Sequence, residues 1–107
     1  MPYLITTSRY PSEKASEVAK KYFEVLKKYP PDENLGNQLV PAAVNSTTQG
    51  TQVMGITEVK EGKLEESLTR AANMMAMFIN IPGFEYTIDI HFTITEALAT
   101  IGMSLPE

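Results

Sequence analysis

Two stretches of helical periodicity, each bracketed by strand-like sequence, most constrain how this chain can fold. In the first, Ala15, Val18, Ala19, Tyr22, Phe23, Leu26 and Tyr29 recur at i, i+3, i+4 and i+7, the spacing of one buried stripe on a helix. It predicts a helix over about Glu13–Tyr29, with Ser12 as its cap and Pro30-Pro31 as a firm stop. In the second, Leu64, Leu68, Ala71, Ala72, Met75, Phe78 and Ile79 form the stripe of a helix from near Lys63 to about Ile81, ended by Pro82-Gly83.

The flanking segments read as strands. Tyr3–Tyr10 is rich in Thr, Tyr and Ile. Leu39–Thr48 forms the second strand and Thr51–Val59 the third, with Gln49-Gly50 suited to a hairpin turn between them. Pro41 has no N–H to give to a ladder, so the second strand belongs at an edge or carries a bulge. From Phe84 to Thr95, apolar and polar residues alternate throughout, the clearest strand of the chain. Thr95 is placed to cap a short terminal helix, Glu96–Ile101. The order is strand, helix, strand, strand, helix, strand, short helix. Right-handed crossovers then give the ferredoxin-like βαββαβ arrangement of the α+β class: a four-stranded antiparallel sheet, two helices on one face, and the second and fourth strands at the edges. One such domain accounts for all 107 residues.

Composition removes several function classes. There is no cysteine, so there is no disulfide framework, thiolate-held iron–sulfur cluster or thiolate nucleophile, and a reducing cytosol suits the chain. The net charge is −4. The lysine pairs Lys20-Lys21 and Lys27-Lys28 are interleaved with Glu13, Glu17 and Glu24, a solvated helix face rather than the basic surface that nucleic acid requires. The start, Met1-Pro2-Tyr3-Leu4-Ile5, has no basic leader, so the Asn45-Ser46-Thr47 sequon carries no meaning, and no stretch approaches a membrane span. A cytoplasmic protein that binds neither membrane nor nucleic acid is expected.

Apolar residues exceed what one core needs. Met74-Met75-Ala76-Met77-Phe78-Ile79 is apolar nearly all round, and Ala97–Leu105 is mostly apolar. A sheet with helices on one face leaves the other open, and the third strand would give that face apolar side chains whichever way it is turned, Met54 and Ile56 on one side or Val53 and Val59 on the other. Surplus of this kind marks an interface, so a homo-oligomer is expected, a dimer or higher. Here the chain resembles the dimeric α+β barrel superfamily, in which two ferredoxin-like subunits face their sheets together. Phe84-Glu85-Tyr86-Thr87 ahead of Thr95-Glu96-Ala97 looks like the last strand of a small uncharacterised family within it. The superfamily includes cofactor-independent monooxygenases, haem enzymes, isomerases and ligand sensors, so the resemblance implies a fold and an assembly but no single activity.

The candidate chemistry lies on the last strand. His91 is the sole histidine and the one side chain that titrates near neutrality unperturbed. Asp89 and Thr93 flank it at i−2 and i+2, and Thr87 extends the row along one face. Enclosed by a partner sheet, His91 would serve as a general base with Asp89 as its partner; in solvent the pair would be ordinary surface residues. Thr87, Thr93, Arg9 and Asn45 are the candidate ligand contacts, with Ser8 and Gln52 as further hydrogen-bonding groups. Arg9 could hold an anion or make a surface ion pair. One histidine and no cysteine leave no metal site, and the methionines read as packing residues. A haem on His91 has no second feature to support it, so no cofactor is expected. Gly55, inside a strand, suits close approach of a ligand or another chain.

Three functional readings follow. The first is a homo-oligomer without catalysis, structural or binding a small molecule at the sheet face. The second is a cofactor-independent enzyme, monooxygenase- or isomerase-like, with His91 as base. The third is a regulatory module that docks on another protein through Met74, Met77 and the tail. Enzyme and non-enzyme both stay open at this point.

Overall fold

The computed structural model describes residues 1–106. Strands β1 (Tyr3–Tyr10), β2 (Gly36–Thr47), β3 (Gly50–Val59) and β4 (Glu85–His91) and helices α1 (Ala15–Lys28), α2 (Leu64–Ala76) and α3 (Ile94–Ala99) follow one another as β1-α1-β2-β3-α2-β4-α3. The sheet has the order β2-β3-β1-β4, with every neighbouring pair antiparallel. This is the ferredoxin-like βαββαβ topology, with β2 and β4 at the edges. Pro41 has the place its missing N–H demands: β2 is an edge strand and its register with β3 slips twice, between Gln38 and Val40 and between Val40 and Ala43. Where β2 begins, a Cβ on Gly36 would collide with the Glu58 carbonyl oxygen, so only glycine lets the strands meet there.

Opposed residues in an antiparallel ladder share a face, so the register sorts the side chains. Toward the helices point Leu4, Thr6, Ser8 and Tyr10 of β1, flanked by Thr57, Gly55, Val53 and Thr51 of β3 and by Ile90, Ile88 and Tyr86 of β4. The open face carries Tyr3, Ile5, Thr7 and Arg9 between Glu58, Ile56, Met54 and Gln52 on one side and His91, Asp89, Thr87 and Glu85 on the other.

The core is small and divided. One buried cluster joins Tyr10, Val18, Val25, Phe78 and Ile81; a second joins Leu4, Val59 and Ala71. Val25 and Val59 are the largest fully buried side chains; each contributes about 1.5–3 kcal/mol. Phe23 and Ile79, expected in the buried stripes of the two helices, are instead exposed.

Several element ends differ from the sequence expectation. Ser12 does not cap α1: Ser12–Lys14 form a short 3-10 turn, and the Ser12 hydroxyl lies 3.2 Å from Thr51 Oγ1. Helix α2 stops at Ala76 rather than near Ile81, and tight turns follow in which the Phe78, Ile79 and Ile81 N–H groups donate to Met75, Ala76 and Phe78 carbonyls. This tighter winding stacks residues three apart, so Phe78 and Ile81 both reach the core. Strand β4 ends at His91, because Thr93, not Thr95, is the cap of α3: its hydroxyl accepts from the Glu96 N–H at 3.1 Å while the Glu96 carboxylate accepts from the Thr93 N–H at 2.8 Å.

Candidate functional site

The helix layer does not close on the sheet. Between them lies a cavity of about 640 Å³, within the range of small-molecule sites. Its origin is legible in the side chains. Where a tightly packed sheet would offer branched aliphatics, the central strands offer Thr6, Ser8, Gly55 and Thr57 as the floor. At Gly55 an added Cβ would lie 3.0 Å from Thr6 Oγ1 and 3.3 Å from the Pro41 carbonyl oxygen. Gly55 therefore lets the bulged edge strand close over the floor.

The walls are apolar. Val18, Tyr22, Val25 and Leu26 come from α1, and Ala71, Met74 and Met75 from α2. Stacked rings close one end: Phe84 lies between Phe78, 4.8 Å away, and Tyr10, 6.3 Å away, each nearly parallel to it. Charged side chains enter the lining only as Asp32, Glu33 and Arg70, the first two from the loop leading into β2. The Arg70 guanidinium donates to the Pro30 carbonyl and stands 5.6 Å from the centre of the Tyr29 ring.

One fully buried hydroxyl among these residues has no partner. Ser67, on the inner face of α2, is 7% exposed, and its Oγ is buried without a hydrogen bond. Sequence reasoning passed over it because a serine in a helical stripe reads as neutral. The signal was its place three residues after Leu64 and four before Ala71, inside the apolar stripe.

The residues singled out from sequence lie elsewhere. His91, Asp89, Thr87, Arg9 and Asn45 share the open face, on the far side of the sheet from the cavity. His91 stands opposite Tyr3, and Asp89 opposite Ile5. Both are exposed, and among the described residues neither forms a side-chain hydrogen bond or an ion pair. Thr93 departs from this row, its hydroxyl spent on the cap of α3. At the other end of the face, Arg9, Gln52 and Asn45 line up across three strands. Arg9 donates to Gln52 Oε1 at 3.0 Å and to Gln49 Oε1 at 3.3 Å, and its Nε is buried without a partner. Its charge is thus held by two amide oxygens; among the described residues it forms no ion pair, although Glu85 stands opposite it on β4.

Glu96 lies beside the amino group of Met1. The amino group of Met1, 2.8 Å away, and then the Thr93 N–H hold its carboxyl below the usual range. Among the described residues, no three His, Cys, Asp or Glu side chains gather as a metal would require, and no helix is long and apolar enough to cross a membrane. No family model matches the chain, and neither a curated protein nor a solved structure matches it.

Proposed function

We propose that this chain is the subunit of a homo-oligomer that binds a small, largely apolar molecule between its helices and its sheet. The cavity carries the binding reading: about 640 Å³ with mostly apolar walls is more space than a packed interior leaves empty. The ligand reading therefore moves from the open face, where Thr87, Arg9 and Asn45 stand, to the opposite side of the sheet. Titration with N-phenyl-1-naphthylamine, whose fluorescence rises in apolar surroundings, tests it. Saturable binding of one dye per subunit is expected. Ala19→Trp, at an exposed position of the lining, should abolish it. Absence of saturable binding by the wild-type chain would refute the reading.

Surface area supports the assembly. The chain exposes 7218 Å², whereas a monomer of its 11.9 kDa mass exposes about 5,900 Å². The excess, about 1,300 Å², is on the scale that one partner contributes to a permanent interface. The radius of gyration, 15.5 Å, likewise exceeds the roughly 13 Å of a closed domain of this length. A second copy laid on the open face would cover Ile5, Ile56 and Met54, as in the paired sheets of the superfamily this chain resembles. Light scattering should give a defined oligomer; a clean monomer at micromolar concentration would refute it.

Such a contact would also enclose the row of Asp89 and His91, and that keeps a second reading alive: a cofactor-independent enzyme with His91 as general base. Fully solvent-exposed His91 in the assembled oligomer would eliminate it.

A further inference from the structure

The open face of the sheet has its charges sorted by end. One end carries Arg9 with Glu85 opposite it; the other carries Glu58 and His91 on either side of Tyr3, with Asp89 one row further in. Ile5, Ile56 and Met54 lie between the two ends. Among the paired residues of this face, Arg9 is the one lysine or arginine. Its guanidinium is reachable from outside, since its bond to Gln49 lies at the surface. Among the described residues, neither Arg9 nor Glu58 nor Asp89 belongs to an ion pair. Arg9 and Glu58 cannot neutralise each other within one copy. They stand six rows apart on the β1–β3 ladder, about 20 Å, roughly twice the screening length in ordinary buffer.

We infer that a second copy lies on this face with its strands antiparallel to those beneath it, so that Arg9 of each copy stands over the Glu58 end of the other. This rests on the assembly reading above and adds how the two copies are set. Two-fold symmetry allows two settings. With the axis along the strands, like ends meet, and Glu58 and Asp89 of both copies gather as four carboxylates with no arginine or lysine among them. With the axis across the strands, the ends exchange. Each acidic end then receives a guanidinium, and Glu85 comes level with the partner's His91 instead of with more carboxylates. Aligned sheets cross at about 30°, too little to undo this exchange of ends. The apolar centre is shared by both settings, so the charges decide between them. The partner thus supplies the carboxylate that Arg9 lacks in its own chain.

Charge reversal separates the settings, with subunit dissociation followed by sedimentation velocity at low salt. Arg9→Glu and Glu58→Arg should each weaken association of the variant with itself by about tenfold or more. Mixed in equal amounts, the two variants should associate with each other at close to wild-type strength, because both contacts of the mixed pair then join opposite charges. Tighter association by either variant alone would mean that like ends meet and would overturn the inference. Unchanged association, or a mixture that fails to recover, would overturn it too. In those cases the assembly reading stands if Ile56→Glu still disperses the wild-type oligomer. A wild-type chain that is itself a monomer sinks the assembly reading, and this inference with it. Should a reversed chain fail to fold, Arg9→Gln and Glu58→Gln take its place. Each should weaken association, and the two together no more than one alone; independent, additive losses would overturn the pairing.

Discussion

Replacing Ser67 by alanine in the ligand-free protein should make it more stable, the reverse of what most core truncations do. The residue is 7% exposed and its Oγ has no hydrogen-bond partner. Leaving such a group unsatisfied costs about 1–3 kcal/mol. Alanine removes that cost and gains up to about 0.7 kcal/mol in helix propensity, against a few tenths of a kcal/mol of dispersion lost with one oxygen atom. The net expectation is a gain of about 1–2 kcal/mol, or roughly 4–8 °C in Tm for each kcal/mol in a domain of this size. Urea unfolding, after refolding has stripped any carried-over ligand, reads it directly. Protomer concentration must be matched, because association stabilises by mass action, and the m-value should not change. Equal or lower stability in the alanine variant would refute the reasoning: the hydroxyl would then have a partner in solution.

Three other perturbations probe the rest of the molecule. Ile56→Glu places a carboxylate in the middle of the open face and should convert the oligomer to folded monomers, seen by light scattering with an unchanged circular dichroism spectrum. Gly36→Ala forces a methyl group against the Glu58 carbonyl and should cost about 1–3 kcal/mol, with the loss of β2–β3 exchange protection beginning at Val59. The Glu96 carboxyl is held below its ordinary pKa, first by the terminal amino group and then by the Thr93 N–H, so its contribution is complete above the usual carboxylate range and disappears as pH falls through the depressed value. Acid should therefore release α3 from the chain start, and Glu96→Gln should weaken that contact already at neutral pH; the Thr93 amide shift reports both.

Element order and edge positions were legible because periodicity and one proline pointed the same way. Pro41 could sit only where a ladder is missing or broken, and β2 is both an edge and bulged. Ends of elements were harder, since they turn on which of two similar residues wins. Thr93 and Thr95 are both threonines at the end of the alternating run, but only Thr93 has a glutamate three positions on to complete the reciprocal cap. Helix α2 is shorter than its stripe because the chain winds into tighter turns after Ala76, which still bring Phe78 and Ile81 to the core. On the functional side, the open-face row was correctly placed on one face as far as His91. The cavity was not foreseen, because no single residue announces an empty space. It arises from Thr6, Ser8, Gly55 and Thr57 being small together across two strands, a coincidence that appears only once the register between them is known.

The bulge in β2 has a consequence for how copies can join. The sheet has two edges of different character: β4 is short and regular, while β2 is interrupted from Gln38 to Ala43. Edge-to-edge addition of β2 to β4 would be a head-to-tail contact, repeatable without limit, and would lead to fibres. The broken ladder at Pro41 denies that contact a continuous row of donors and acceptors. What remains is β4 against β4 or face against face, each of which can be two-fold and complete after one addition. A proline that looks like a flaw in a strand thus closes the open-ended route to any copy that would add edge to edge.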